Sequence, residues 1–176
     1  MTAGRVRKAG VGDAIAIAVV HVLSWQAAYE GLVPQDYLDG LDPARRRELW
    51  DMVLAEDAWP RSGVLVAENE DLVTGFAHFR PARDEDEDPW LIAEITAIYL
   101  VPEAWGTGAG RQLMTSSLNV LAHAGYREAT LWVLNTNARA RRFYESAGWR
   151  PDGTVKNDGS LGFLLTEIRY RHMLNQ

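Results

Sequence analysis

The stretch Leu100-Val-Pro-Glu-Ala-Trp-Gly-Thr-Gly-Ala-Gly-Arg111 places three glycines in five positions, between a run typical of a strand and one typical of a helix. Glycines at such a junction let the backbone approach a ligand closely and leave the first N–H groups of the helix pointing at it. Together with the helix dipole, these groups form a site for an anion. The stretch therefore predicts either a phosphate-binding loop or a tight turn without a ligand.

Two common phosphate loops do not match this stretch. A Walker A loop needs four residues between its glycines and then Lys followed by Ser or Thr, and the stretch has neither feature. A GxGxxG loop of the Rossmann type that began at Gly106 would need a glycine where Arg111 stands, inside a series of parallel βαβ units. The loop must therefore belong to another kind of anion site, or to none.

The segments on either side of this loop predict a mixed α/β fold. Hydrophobic periodicity, N-cap residues and turn dipeptides divide the chain into short strands and helices, without an internal repeat or a linker. In chain order we expect a strand over 5–8, a helix from Asp13 to about Tyr29, a helix from Pro43, a hairpin of 64–67 with 72–79, a strand over 90–101, a helix over 108–122, a strand over 129–134, a helix over 137–147 and a terminal strand around 163–171.

The first two helices each carry apolar residues at helical spacing. These residues are expected to face the core. In the first helix they are Ile15, Val19, Val22 and Leu23, and in the second they are Leu49, Trp50, Val53 and Leu54.

A second motif follows about thirty residues after the glycine loop: Asn137-Ala-Arg-Ala-Arg-Arg-Phe-Tyr-Glu-Ser-Ala-Gly-Trp149. The two stretches together resemble the acetyl-CoA signature of the GNAT superfamily of N-acetyltransferases, including the spacing from Asn137 to Tyr144. The resemblance implies one domain over residues 1–176. It also implies an α/β fold with a mixed, mostly antiparallel sheet, splayed into a V and covered by helices on both faces.

The same resemblance implies that acetyl-CoA is the co-substrate and indicates which residues bind it. Backbone groups of Ile98, Tyr99 and Leu100 would pair with pantetheine, and Asn137 would bind nearby while also capping the last helix. One departure is Trp105, which stands where the family usually has Gln or Arg, so one side-chain contact to the coenzyme is missing. The pyrophosphate would be bound by the loop residues Gly106, Thr107, Gly108, Ala109, Gly110 and Arg111.

Acetyl transfer to an amine also needs an acid and a base. By resemblance, Tyr144 gives a proton to the departing thiolate; its reference pKa is about 10, against about 8.5 for a thiol. The alternative is that it only packs beside Phe143. Glu94 is the candidate base, because it is a carboxylate in an apolar strand, and period-two alternation would place it on one face with Thr96, Ile98 and Leu100. A structural role for Glu94, His78 as the base, or no base at all remain open.

Composition excludes several other classes of function. The chain has no cysteine, which excludes a disulfide framework and a cysteine nucleophile, and its four histidines are too scattered for a typical metal motif. A formal charge of −6 over 176 residues argues against nucleic acid as a partner. No apolar run approaches the roughly 18 residues of a membrane span, so we expect a cytoplasmic protein without metal or membrane contact. A homodimer is left open.

The acceptor amine would bind where the first two helices meet the splayed sheet, lined by Trp25, Tyr29 and Tyr37. Of the seven tryptophans, Trp50 and Trp132 have the pattern of core residues. The acidic run over 84–88 either attracts a cationic amine or is a solvated loop. The function predicted is direct acetyl transfer in a ternary complex, with a non-catalytic acyl-CoA-binding module and a longer-chain acyltransferase as alternatives.

Overall fold

The computed structural model describes residues 4–56 and 58–175. Over these residues the chain forms five α-helices and seven strands, together with two short 3-10 turns that precede α1 and α4. The elements are β1 (Arg5–Lys8), α1 (Ala14–Ala28), α2 (Gln35–Asp39), α3 (Pro43–Ala55), β2 (Gly63–Asn69), β3 (Leu72–Pro81), β4 (Ile92–Leu100), α4 (Ala109–His123), β5 (Glu128–Leu134), α5 (Ala138–Ser146), β6 (Arg150–Asp158) and β7 (Leu165–Met173).

The strands form one sheet in the order β1-β2-β3-β4-β5-β7-β6. Neighbouring strands are antiparallel except β4 and β5, which run parallel and pair only from Ile92 with Glu128 to Glu94 with Thr130. Beyond this short ladder the two strands no longer pair, so the sheet opens between them. The mixed, mostly antiparallel sheet splayed near its middle, as predicted from sequence, is confirmed.

A bulge interrupts β4 just before the opening of the sheet. Phe79 of β3 lies opposite Ile95 and His78 lies opposite Ala97, so Thr96 is an extra residue without a partner in β3. An extra residue reverses the alternation of side chains, so Ile98 falls on the same face as Ile95. The prediction that Glu94 shares a face with Ile98 and Leu100 is therefore wrong, because the bulge lies between them.

Helices cover both faces of the sheet. On one face α4 buries Leu113, Met114 and Leu121 against the central strands, and α5 continues this layer. On the other face α1 and α3 pack against β2 and β3, with Ile17 and Trp50 at the centre of the contact. The opening between β4 and β5 therefore lies between two helical layers.

The sequence-based prediction of which residues face the core is partly wrong for the first two predicted helices, which are α1 and α3. Ile15, Val19 and Leu23 of α1 are 36–44% exposed, and the helix instead turns Ile17 and several small residues toward the sheet. Leu49 of α3 is also 42% exposed. Helix α1 is apolar almost all round, so its sequence pattern does not distinguish the buried side from the exposed side.

The segment Val11–Ala28, which contains α1, has the length and composition of a membrane span, with a mean hydropathy of 1.5. The prediction that no apolar run approaches this length is therefore wrong. In the fold this segment lies across the sheet, and Ile17, Ala18 and Val20 are at most 1% exposed.

The acidic run Asp84-Glu-Asp-Glu-Asp88 is neither a free solvated loop nor an open cation site. Arg169 of β7, only 3% exposed, donates to Asp86 at 2.7 Å and to Asp84 at 3.1 Å. Arg171, two residues further on the same face of β7, binds Glu87. The loop is thus held by ion pairs over the polar face of β7.

Candidate active site

A cleft of about 490 Å³ opens where β4 and β5 diverge. Its walls come from the ends of these two strands, the glycine loop, the start of α5 and the end of α1. Residues far apart in the sequence therefore meet at one place. Of the residues predicted to bind coenzyme or to act in catalysis, the cleft brings together Ile98, Tyr99, Leu100, Gly106, Gly108, Gly110, Arg111, Asn137 and Tyr144.

Two residues of the predicted loop, Thr107 and Ala109, do not line the cleft. The hydroxyl of Thr107 donates to the carbonyl of Ala104 at 2.7 Å and thereby closes the turn. Ala109 is the first residue of α4, and its N–H lies 3.4 Å from the Thr107 hydroxyl oxygen. These two residues therefore stabilise the turn of the loop without lining the cleft.

The glycine loop has the backbone geometry of an open anion site. Gly106 and Gly108 have φ angles of 74° and 93°, in the left-handed region that favours glycine. A Cβ atom on either residue would meet no protein atom within 4 Å, so the space beside them is open. Gly108 is the N-cap of α4 and offers no capping side chain. The first N–H groups of this helix are therefore available to an anion.

Asn137 combines two functions at the opposite wall of the cleft. It is the N-cap of α5, where its side-chain oxygen accepts a hydrogen bond from the N–H of Ala140 at 3.1 Å. The predicted capping role is thus confirmed. The residue is 7% exposed and lines the cleft, which leaves its amide nitrogen as a donor toward a ligand.

Tyr144 lies two turns further along α5 and also lines the cleft. Its ring packs near Phe143, Trp149 and Tyr170, so the packing role considered from sequence is also present. Burial raises the pKa of the Tyr144 hydroxyl above its ordinary value. The hydroxyl therefore stays protonated at neutral pH and is a hydrogen-bond donor there.

A second cavity of about 220 Å³ adjoins the cleft and is lined by the end of α1 and by residues of β4, β5, β6 and β7. Tyr29, Thr96 and Tyr99 line both spaces, so the two meet at this point. Burial raises the pKa of the Tyr29 and Tyr99 hydroxyls, which keeps both protonated.

The acceptor residues predicted from sequence are partly found in this cavity. Trp25 and Tyr29 line it, and the buried indole nitrogen of Trp25 has no hydrogen-bond partner among the described residues. Tyr37 does not line it; its ring packs on Phe163 at 5.1 Å between ring centroids. Trp132, predicted as core, instead lines both cavities and donates to Asp84 at 3.0 Å.

Three carboxylates line the smaller cavity, those of Glu94, Asp158 and Glu167, and only Glu94 was predicted. Glu94 is 6% exposed and accepts two hydrogen bonds from Arg83, each at 3.2 Å. Glu167 of β7 lies 3.5 Å from the ammonium of Lys156, and burial raises its pKa although Lys156 lowers it. The available signal for Glu167 was the alternation of charged and apolar residues along β7, which marks one polar strand face.

His78, the other candidate base, lines neither cavity, although it contacts Thr96, which lines both. It is 8% exposed, its ring nitrogen Nδ1 contacts the Thr96 hydroxyl, and its ring packs against Trp50. Burial lowers the pKa of His78 to about 4. Within residues 4–56 and 58–175 no cluster of three or more His, Asp or Glu is arranged to hold a metal ion.

Comparisons with known proteins agree with this geometry. The sequence model of the Acetyltransferase (GNAT) family matches residues 25–149. The uncharacterized N-acetyltransferase YuaI of Bacillus subtilis is 36% identical over 133 residues, which are 75% of this chain and 72% of YuaI.

Two solved structures share the fold over almost the whole chain. The PaiA N-acetyltransferase of Thermoplasma acidophilum, in complex with coenzyme A, superposes with a TM-score of 0.80 at 20% identity, covering 98% of this chain and 99% of that one. YncA of Salmonella typhimurium, a putative acetyltransferase with its cofactor acetyl-CoA, gives a TM-score of 0.73 at 21% identity, covering 99% and 96%.

Proposed function

The chain belongs to the Acetyltransferase (GNAT) family, and from this premise we propose that it transfers an acetyl group from acetyl-CoA to a primary amine of a small molecule or peptide. Transfer is direct, in a ternary complex, since the chain has no cysteine to carry the acetyl group. The proposal treats residues 1–176 as one acetyltransferase domain. Relatives of known structure were crystallised with coenzyme A or acetyl-CoA, which supports the choice of co-substrate.

The observation that carries the proposal is the junction of the two cavities. The cleft offers backbone N–H groups and Asn137 to an anionic, elongated ligand, and the smaller cavity offers carboxylates to a cation. They meet beside Tyr29 and Tyr99. A thioester at the end of the cleft would therefore face an amine that enters from the smaller cavity.

In this proposal the coenzyme is bound mainly by backbone. The N–H groups at the start of α4 bind the pyrophosphate, and the open space beside Gly106 and Gly108 admits it. Backbone groups of Ile98 to Leu100 face pantetheine, apart from the carbonyl of Leu100, which accepts a hydrogen bond from Trp105 at 3.0 Å. Asn137 adds a side-chain donor from the opposite wall.

The acceptor arrives as an ammonium ion and must lose a proton before it can attack. A carboxylate in the smaller cavity accepts this proton, and the neutral nitrogen then forms a bond to the thioester carbonyl carbon. Glu94 remains a candidate for this role, as expected from sequence. Glu167 is a second candidate, because a base whose pKa is raised toward neutral pH accepts a proton more effectively.

Collapse of the tetrahedral intermediate breaks the carbon–sulfur bond and leaves a thiolate. Tyr144 donates a hydrogen bond to this sulfur as charge develops on it. Proton transfer from Tyr144 to sulfur is completed when the phenol recovers a proton from the newly bonded nitrogen, so the products are the amide and free coenzyme A. Because burial raises the pKa of Tyr144, a free phenolate is disfavoured, so the phenol gives its proton to sulfur only as it takes one from the nitrogen.

The test is a screen of primary amines with the purified protein and acetyl-CoA, monitored by release of the coenzyme A thiol. Amine-dependent release supports the proposal. Tight coenzyme binding without release over the whole panel would favour a non-catalytic acyl-CoA-binding module instead. Release only with longer acyl-CoA donors would favour a different acyltransferase.

A further inference from the structure

The residue that departs from the family pattern, Trp105, carries a cation on its ring. The guanidinium carbon of Arg139, from the first turn of α5, lies 3.4 Å from the centroid of the Trp105 ring. The indole nitrogen of Trp105 donates to the carbonyl of Leu100 at 3.0 Å, which fixes the orientation of the ring. Trp105 is thus a rigid platform directly before the glycine loop, and Arg139 rests on it.

Arg139 differs from the other arginines of α5 in its surroundings. It lines the cleft, and its guanidinium makes no ion pair or hydrogen bond with any residue of 4–56 or 58–175. Arg141 instead donates to the hydroxyl of Tyr170 at 3.2 Å and to Asn135, and Arg142 is exposed and does not line the cleft. Arg139 is therefore a cation without a counter-ion, placed at the edge of a site built for an anion.

We propose that Arg139, held in place by Trp105, binds a phosphate of the coenzyme pyrophosphate. The inference rests on the proposed function, since the phosphate is that of acetyl-CoA. It assigns a binding role to a side chain outside the loop and makes Trp105 a positioning residue. The contact that Gln or Arg would supply at position 105 is then supplied across the cleft from α5.

The chemistry of the pair suits this role. A guanidinium that stacks on an aromatic ring keeps its N–H groups free in the plane of the stack, where they can bind two phosphate oxygens at once. Stacking also limits the rotamers of a long side chain, so less conformational freedom is lost when the ligand binds. Trp105 immediately precedes Gly106, and Arg139 lines the same cleft as Gly106, Gly108 and Gly110.

The experiment is calorimetric titration of coenzyme A into the wild-type protein and into the Arg139→Ala and Arg142→Ala variants at low ionic strength. In Arg139→Ala a charge-assisted contact to phosphate is lost, so coenzyme A should bind about tenfold to hundredfold more weakly than to the wild type. Arg142→Ala is the matched control and should bind within about twofold of wild type. The difference should shrink as salt is added, because ions screen a partly exposed contact.

A double-mutant cycle tests the role of Trp105. If Trp105 acts through Arg139, Trp105→Ala should weaken coenzyme binding in the wild-type background and add little in the Arg139→Ala background. Trp105→Gln in the Arg139→Ala background should recover part of the affinity, because it returns a polar side chain to the loop. A merely structural role for Trp105 would give equal losses in both backgrounds and no recovery.

Titration of dephospho-coenzyme A identifies the phosphate. The loss caused by Arg139→Ala should be the same with this ligand, which keeps the pyrophosphate but lacks the 3′-phosphate. If Arg139→Ala weakens binding of coenzyme A but not of dephospho-coenzyme A, the assignment to the pyrophosphate is contradicted. If Arg139→Ala and Arg142→Ala bind coenzyme A equally well, the role of Arg139 is overturned. Wild-type protein that binds no coenzyme A would instead refute the proposed function.

Discussion

The carboxylates of Glu94 and Glu167 line the same cavity, and each is paired with a cation nearer the surface. Arg83 binds Glu94 at 3.2 Å with a side chain that is 55% exposed, and Lys156 lies 3.5 Å from Glu167 with a side chain that is 41% exposed. The two acids enter from different strands, β4 and β7. The arrangement provides two candidate proton acceptors that can be distinguished by their partners.

The partners allow a crossed test of which acid is the base. Lys156 lowers the pKa of Glu167, so Lys156→Met should raise it. If Glu167 is the base, the rate of acetyl transfer falls with falling pH as Glu167 is protonated, and Lys156→Met moves this fall to higher pH. The pH profile of kcat/KM, measured with the best amine from the screen, shows the shift.

Arg83→Met is the matched variant for the other acid. A shift of the profile by Arg83→Met and none by Lys156→Met would assign the base role to Glu94. Both variants replace partly exposed side chains, so the fold should be retained.

Replacement of the Tyr144 hydroxyl should affect turnover and leave coenzyme binding intact. Tyr144→Phe keeps the ring that packs near Trp149 and Tyr170 and removes only the donor to the thiolate. We expect kcat to fall by about a hundredfold or more, with the dissociation constant of coenzyme A changed by less than threefold. Steady-state kinetics and calorimetry give the two values. An unchanged kcat would remove Tyr144 from the mechanism.

The glycine loop should not tolerate a side chain at its helix cap. Gly108→Ala forces a Cβ into a backbone conformation with φ of 93°, which costs about 1–2 kcal/mol or displaces the loop. We expect a lower melting temperature and weaker coenzyme binding. Gly12→Ala is the control: its φ is not in the left-handed region and its Cβ would meet nothing within 4 Å. Equal behaviour of the two variants would show that the cap geometry is unimportant.

Removal of the buried arginine of β7 should release the acidic loop. Arg169→Met leaves Asp84 and Asp86 without their buried partner, and loss of one partner of such a network costs about 3 kcal/mol. Arg171→Met, at a side chain that is 25% exposed, should cost less. Urea unfolding gives the free energies of unfolding. Because the loop carries Arg83, we expect KM for the amine to rise in Arg169→Met while coenzyme affinity stays unchanged.

Most of the residues that the sequence proposed for coenzyme binding line the cleft, because their placement depends on local backbone. The positive φ angles of Gly106 and Gly108 and the N-cap role of Asn137 follow from residue type at the start of a helix. The spacing of Asn137 and Tyr144 on one helix brings both to the same wall. These features need no knowledge of distant contacts.

The residues of the smaller cavity were predicted less well because their placement depends on tertiary pairing. The bulge at Thr96 is visible only from the pairing of β3 with β4, and it reverses the face on which Glu94 was expected. Glu167 reaches the cavity only because β7 lies beside β5 in the sheet. The acidic loop is held by Arg169, which follows it by more than eighty residues and could not be matched to it by local pattern.

Acetyl transfer itself is the most direct test of the account. Purified protein with acetyl-CoA and a panel of primary amines should release coenzyme A thiol above the rate of hydrolysis without amine. Mass spectrometry should find the acetylated amine in equal amount, and Tyr144→Phe should suppress both. Coenzyme A binding without amine-dependent thiol release for any member of the panel would contradict the proposal that this chain is an amine acetyltransferase.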